Sequence, residues 1–548
     1  AFLLLWGITS CTSPTSPRKK VLIVHARGIS YPDLIGYLRA NGSSGYLNET
    51  QSNGTLKKLR PITNAVTISN IASFETGLQP SNHGVIGHNF GVFKEGQLTT
   101  VNGFSKRYLH ETFWEKADRN GLRVLNVGAL AMHGKFAKHK NVDCLAQGSQ
   151  MSQSKFLILI PSSNLPDETG NVLYKSTGNQ NTIRLTDKLD PIRVYKKNLE
   201  ATTLIIDTDL STKNGIIGEL TKGNWVEITT GNRNGLSESL RLKWTATHGD
   251  SLELYVRGSF VNRGYPSEFL RKIDTVVGPS KGWPNIPLYS NGHISEYVLI
   301  EEINAELDYV MDVFSVSAKD KNYDLIMLDY PLMDRYGHAF LQLKNSFSQH
   351  EQYYQDAFDR MNRDFSELSQ FAAENNYELV IASSHGFSPI HTSINMNKVL
   401  RDKGIVTDSK DWQARAIPGK VSSHIYINPE LGNSEQKAVE RKIISLLDKL
   451  TLTENGEIVT DKIYRKENLD EIGLLSEHAG DIFILLKPGY VFSSDETLPI
   501  LSVPDFKGDH GYSLDHEDSF GFIISNEECD PCLTTDIAGL IAQKLKIN

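Results

Sequence analysis

The stretch NAVTISNIASFETGLQPSNHGVIGHNF, residues 64–90, decides how the chain is read. Its first chemical landmark is Thr67, with Asn70 three positions further on. A hydroxyl in the first turn of a helix, at the carboxyl end of a sheet, can attack phosphorus while free backbone N–H groups and the helix dipole attract the anionic oxygens. Asn70 can donate a side-chain hydrogen bond to the same group. The plainer alternative is that Thr67 only caps a helix beginning near Ile68, a common role for threonine.

On either side of this stretch the chain alternates strands and helices. VLIVHA (21–26) and LRVLNVGAL (122–130) set a βαβ rhythm, which resumes with YDLIMLDY (323–330), YELVIASS (377–384) and FGFIISN (520–526). These apolar runs are short and lack clean alternation, as expected of strands covered on both faces. ISEYVLIEEINAELDYVMDVFSV (294–316) predicts a helix between the halves, and TTDIAGLIAQKLKIN (534–548) a closing one.

Between these parts the texture changes. NWVEITTG, SLRLKWTATHG and SLELYVRGSF alternate apolar and polar residues between Asn/Gly turns, the pattern of antiparallel strands. A second insertion holds the strand-like SSHIYINP and GDIFILLKPGY around the amphipathic SEQKAVERKIISLLDKL. The expected division is a signal remnant and tether at 1–20, an α/β core at 21–154, 289–404 and 501–548, a β-rich cap at 155–288, and a smaller α+β insertion at 405–500.

A chain of 548 residues, 39% hydrophobic and 22% charged, reads as a soluble globular protein. Its formal charge of −8 argues against general binding of nucleic acid polymers or acidic membranes, which demand a basic surface. The first residues, AFLLLWGITSC, are too short a run to span a bilayer. They look like the tail of a bacterial lipoprotein signal, with Cys11 bearing the lipid, or else of an ordinary secretory signal. Either way an exported protein is expected, lipid-anchored in the first case, periplasmic or at the cell surface. The pair Cys529 and Cys532 is expected to form a local disulfide, and Cys144 is given no role. The sequons at Asn41, Asn48 and Asn53 are short patterns that a bacterial cell would leave unglycosylated.

Residues 64–90 resemble the nucleophile segment of the alkaline phosphatase superfamily, in its type I phosphodiesterase and nucleotide pyrophosphatase branch. The matching positions are Thr67, Ser69, Asn70, Thr76, Gly77, Pro80, His83 and Gly84. The resemblance implies an α/β fold, a mostly parallel sheet sandwiched by helices. DRYGHAF supplies Asp334 and His338, four residues apart and so on one side of a helical turn. GDHGYS supplies His510. The resemblance makes these three the ligands of a first zinc, and two histidines with a carboxylate and a vacant fourth position form a catalytic set.

The same branch holds a second zinc with an aspartate ending the first strand, an aspartate before His-Gly, that histidine, and the nucleophile oxygen. Here those positions are Arg27, Ser384, His385 and Thr67. Two neutral ligands hold a dication poorly and a guanidinium repels it, so one zinc is expected and the second site lost. One dication plus two carboxylates sum to zero, whereas Arg27 with Ser384 sums to +1. Arg27 is therefore expected to clamp the anion in the missing ion's place. Deprotonating Thr67 is then the weak link, to be assisted by the remaining zinc or by His385.

The leading reading is an exported hydrolase of phosphate esters, diesters above all, acting on a small anionic or glycan-linked substrate through a phosphothreonine intermediate. A weakened or inactive relative that binds an anionic or carbohydrate ligand is the alternative. Sulfate ester or phosphonate cleavage is another, although the sulfatase signature is absent.

Overall fold

A computed structural model describes residues 18–42, 45–130, 139–162, 171–176, 183, 192–198, 200–207, 215–344, 346–407, 411–451, 456–529 and 532–547. Cys11 and the signal-like run lie outside them. Lys20–Ala26 is the middle strand of the core, paired in parallel with Leu325–Tyr330 on one side and Tyr377–Ser383 on the other. Val124–Ala129 and Val142–Gln150 continue the parallel run beyond Leu325–Tyr330. Gly521–Ile524 closes the other side antiparallel to Tyr377–Ser383, and Leu56–Arg60 pairs beyond it.

Period-two alternation explains why the first strand reads as one apolar run. Val21 and Ile23 face a layer built on Phe74, Trp114 and Ile541, from the helices Thr67–Thr76, Phe113–Arg119 and Asp536–Leu545. Leu22 and Val24 face the opposite layer, with Leu299, Phe358 and Phe365 from the long helices Glu296–Asp320 and Ser348–Glu374. Both faces are sealed, so both parities are apolar.

The expected cap is antiparallel, but it does not sit apart from the sheet. Its strand Ser251–Tyr265 hydrogen-bonds to Val142–Gln150, so the cap strands extend the core sheet edge to edge. The smaller insertion forms its own antiparallel sheet from Ala414–Pro418, Ser422–Ile427, Ile482–Leu486 and Thr460–Arg465, backed by the helix Asn433–Leu447. Cys529 and Cys532 are joined by a disulfide, and Cys144 is a buried thiol.

The Pro80–Gly84 turn braces the helix Thr67–Thr76. Val85 N–H donates to His83 Nδ1 at 3.2 Å, so His83 Nε2 carries the proton it shares with Ser73 Oγ at 2.9 Å. A second proton on the ring would meet the Val85 donor. Burial, helped by His110, lowers His83 from 6.5 to about 3.

The unfolded chain takes up this proton near pH 6.5 and the folded chain only near 3, so stability is lost as the pH falls through that window. Between neutral pH and about pH 5 the His83 contribution amounts to about 2 kcal/mol. Urea unfolding of His83→Gln should show a pH dependence flatter than wild type by that amount. Parallel curves would mean the ring is charged in the fold.

Candidate active site

Thr67 is the first residue of its helix, and the cap position is Val66, with no side-chain cap bond. The threonine hydroxyl is thus not used as a cap. Asn70 N–H bonds to Val66 C=O at 3.0 Å, which leaves the N–H groups of residues 67–69 without partners inside the helix. Thr67 Oγ1 instead lies 3.2 Å from His510 Nε2.

Asp334 and His338 lie one turn apart on the helix Leu332–Lys344, and both are buried. The helix sits close to the end of the first strand because residue 28 is glycine. A Cβ there would come within 2.5 Å of Asp334 Cα, and φ is +79°. His510 follows the short strand Gly508–Asp509, which pairs with Ser388–Pro389. One ligand atom from each of Asp334, His338 and His510 lies within 4.8 Å of the others, which brings His510, expected from the resemblance, beside the pair expected from spacing.

The protonation pattern suits a cation. His338 Nδ1 donates to Gly508 C=O at 2.9 Å and His510 Nδ1 to Ala65 C=O at 2.8 Å, so each ring keeps a lone pair on Nε2. Burial, and then the charge of Lys420, lower His338 to about 4 and push His510 well below its ordinary value. Burial alone would raise the Asp334 carboxyl, but Arg27, His338 and Arg335 hold it well below the usual carboxylate range. Asp334 Oδ1 is buried with no hydrogen-bond partner. An orphaned carboxylate oxygen beside two unprotonated imidazole nitrogens fits a divalent metal.

Arg27 is where the structure departs most from the sequence expectation. Its side chain is 0% exposed. Nε and Nη2 reach both oxygens of Asp329, at 2.7 and 3.0 Å, and Nη1 lies 3.0 Å from Asp334 Oδ2. Arg335 takes the same Asp334 oxygen at 2.6 Å and grips Glu306 with two bonds of 2.7 Å. Two guanidinium groups thus face three carboxylates, and the surplus of +1 counted from Arg27 and Ser384 is absent. Arg27 is directed at protein carboxylates rather than at a substrate anion.

The other replaced position is equally occupied. Ser384 Oγ lies 2.7 Å from His25 Nε2 and accepts from Asn70 Nδ2 at 2.7 Å, and Asn70 Nδ2 also donates to Ser384 C=O at 3.0 Å. Asn70 therefore holds Ser384, in contrast to the expected bond to a phosphoryl group. His385 stacks on His510 with centroids 3.8 Å apart and directs Nδ1 to Gly386 C=O, leaving Nε2 without a partner. Sequence reading missed His25, Asp329, Arg335 and Glu306. Asp329 was the accessible one, a carboxylate ending a strand adjacent to that of Arg27.

The sequence profile of the type I phosphodiesterase/nucleotide pyrophosphatase family matches residues 35–204 and 229–513. Thr67, Asp334, His338, His385 and His510 lie within these spans, and Arg27 lies before them. No curated protein sequence matches the chain. Among solved structures, phosphonoacetate hydrolase from Sinorhizobium meliloti 1021 in complex with phosphonoacetate is similar at a TM-score of 0.53 and 13% identity, covering 96% of each chain. Its complex with phosphonoformate gives 0.53 at 14% identity, over the same share of each chain. Human ectonucleotide pyrophosphatase/phosphodiesterase 5 aligns over 97% of this chain and 96% of its own, at 11% identity and a TM-score of 0.45. At such identities a likeness concerns the fold alone. The profile match takes in more than half of the chain, and this protein therefore belongs to the type I phosphodiesterase/nucleotide pyrophosphatase family of phosphoester hydrolases.

Proposed function

We propose that the chain hydrolyses small phosphate diesters with Thr67 as the attacking hydroxyl and a single zinc ion held by Asp334, His338 and His510. The observation that carries this reading is the 3.2 Å contact between Thr67 Oγ1 and His510 Nε2, which joins the hydroxyl to the metal-ligand set. A bound zinc ion supplies Lewis acidity and lowers the pKa of an adjacent oxygen acid. The helix N-terminus at residues 67–69 presents N–H groups to the phosphoryl oxygens. Thr67 Oγ1 forms a bond to phosphorus as the ester P–O bond breaks, and the alcohol departs with a proton. Water then cleaves the phosphothreonine and restores the hydroxyl. His385, with its unpartnered Nε2, is the proton acceptor we assign to Thr67. Burial and its neighbour His510 push this ring well below its ordinary pKa, so it holds the proton only in passing.

Arg27 acts inward in this reading. Together with Arg335 it fixes one Asp334 oxygen so that the other is presented. The enzyme is exported and anchored through a lipid on Cys11, a reading supported by the apolar run before that residue and by a disulfide suited to an oxidising compartment. Fatty-acid labelling that survives Cys11→Ala would count against the anchor. The rival reading, a relative that binds an anion without turnover, draws on the interlocked bonds that fill the Arg27 and Ser384 positions.

Thr67→Ala should lower turnover of an aryl phosphodiester by about three orders of magnitude or more while leaving bound zinc unchanged. Unchanged turnover in this variant would exclude a covalent role for the residue. Wild type that binds zinc but turns over nothing would favour the rival reading. Asp334→Asn should lose the zinc that elemental analysis finds in wild type, about one ion per chain.

Arg27→Met should lower unfolding free energy by about 3–5 kcal/mol, because it strands Asp329 and half-strands Asp334 in the interior. A solvent-facing anion clamp would show no such loss in urea unfolding.

A further inference from the structure

Arg27 and Arg335 are each committed to two carboxylates, which leaves open what cation meets the substrate. The smaller insertion supplies a candidate. Lys420 sits in the turn between the strands Ala414–Pro418 and Ser422–Ile427, with φ +77°. Such a left-handed conformation is unfavourable for a residue with a Cβ, and glycine would occupy it without strain. Non-glycine residues held this way gather at functional sites, because the surroundings must enforce them.

The surroundings do enforce this one. Phe492 N–H donates to Lys420 C=O at 2.7 Å, and Gly419 N–H to Ser422 C=O at 2.7 Å. Ser422 Oγ donates to Asn64 Oδ1 at 2.8 Å, fastening the turn to the segment that leads into Thr67. The side chain continues toward the metal-ligand set. Lys420 Nζ donates to Asp509 Oδ1 at 3.3 Å and lies 5.4 Å from the centre of the Phe506 ring, which itself packs on His338 at 4.9 Å. His510 Nε2 is 4.0 Å from the same Asp509 oxygen, which caps its separation from Lys420 Nζ at the sum of the two distances. The Lys420 side chain is 21% exposed, and the bond to Asp509 uses one of the three N–H donors of its ammonium.

We infer that Lys420 is a specificity residue by which the smaller insertion reads a second negative charge on the substrate, beside the charge that every phosphodiester carries. This inference rests on the hydrolase reading above. The favoured substrates are esters with two negative charges near phosphorus, either a phosphate monoester dianion or a diester whose substituent carries a carboxylate. The competing account is purely structural, with Lys420 present only to neutralise the buried Asp509.

The test compares Lys420→Met, Lys420→Gly and Lys420→Arg as zinc-loaded full-length proteins, at a pH where phosphate is a dianion. Calorimetry with inorganic phosphate and with dimethyl phosphate gives a readout independent of turnover. Loss of the charge should weaken phosphate binding about tenfold more than dimethyl phosphate binding, and Lys420→Arg should restore most of it. In kcat/KM, p-nitrophenyl phosphate and p-nitrophenyl 2-carboxyethyl phosphate should each lose about tenfold more than methyl p-nitrophenyl phosphate. Whichever of the two loses more locates the second charge on phosphorus or on the substituent. Lys420→Gly, which relieves the turn as well as removing the charge, should lose the same discrimination as Lys420→Met. Equal losses for mono- and dianions, or unchanged phosphate binding, would overturn the inference. If wild type hydrolyses none of these esters, the hydrolase reading fails while the phosphate comparison still decides the role of Lys420.

Discussion

Asp334 is a carboxylate sealed from solvent that remains charged because two guanidinium groups share one of its oxygens. Removing a carboxylate from water costs several kcal/mol, and no single partner at the distances seen here repays that. Arg27 and Arg335 do so jointly, and each is steadied by a further carboxylate, Asp329 for one and Glu306 for the other. Trp283 lies over the Arg335 guanidinium at 3.5 Å and covers it from the cap side. The result is that Asp334 Oδ2 is fixed and Oδ1 is offered. Everything assigned to the metal-ligand set depends on that division, because a rotated carboxylate would satisfy the arginines and face the imidazoles with nothing.

Much of this architecture was legible in the sequence. The strands at 20–26, 325–330 and 377–383 announced themselves because burial on both faces leaves no polar position inside them. Asp334, His338 and His510 were legible because a four-residue spacing on a helix is a geometric statement in itself, and the third ligand carried a family motif. The role of Arg27 was not legible. The count of +1 took in only the residues that replace metal ligands, and Asp329 replaces none. It becomes a neighbour of Arg27 through strand order, since His25 stands in register with Asp329 only once Lys20–Ala26 and Leu325–Tyr330 pair. Glu306 lies beyond even that kind of reasoning, because it reaches the site from a different layer of the fold. The cap misled for a related reason: alternation shows that a strand has one covered face but not which edge it joins.

A guanidinium and a metal ion are not equivalent occupants of one position. A dication can give up a water and take a substrate oxygen into direct coordination, whereas Arg27 has its donors placed on protein carboxylates. If Arg27 stands where the resemblance places a metal-binding aspartate, a position suited to a second ion would have become a brace for Asp334. Ser384 completes the conversion, because its hydroxyl is held between His25 and Asn70. Asn70 is thereby tied to Ser384, and the first turn of the helix Thr67–Thr76 is tied with it.

That conversion shifts the electrostatic burden outward. With the inner arginines neutralised by three carboxylates, the inner shell no longer attracts an anion, and attraction must come from the metal-ligand set, the helix N-terminus and whatever the insertions contribute. The helix contributes about half a charge and no selectivity between mono- and dianions beyond Coulomb's law. A lysine on a rigid turn contributes a whole charge at a fixed place, and its loss leaves one buried partner, Asp509, rather than the network of Arg27 and Arg335. Core residues such as Arg27 cannot vary in this way, because each is held by partners that would be stranded without it. On the inference drawn for Lys420, the physical asymmetry between a sealed network and a partly buried turn would place specificity on the insertion side and the chemistry on the core side.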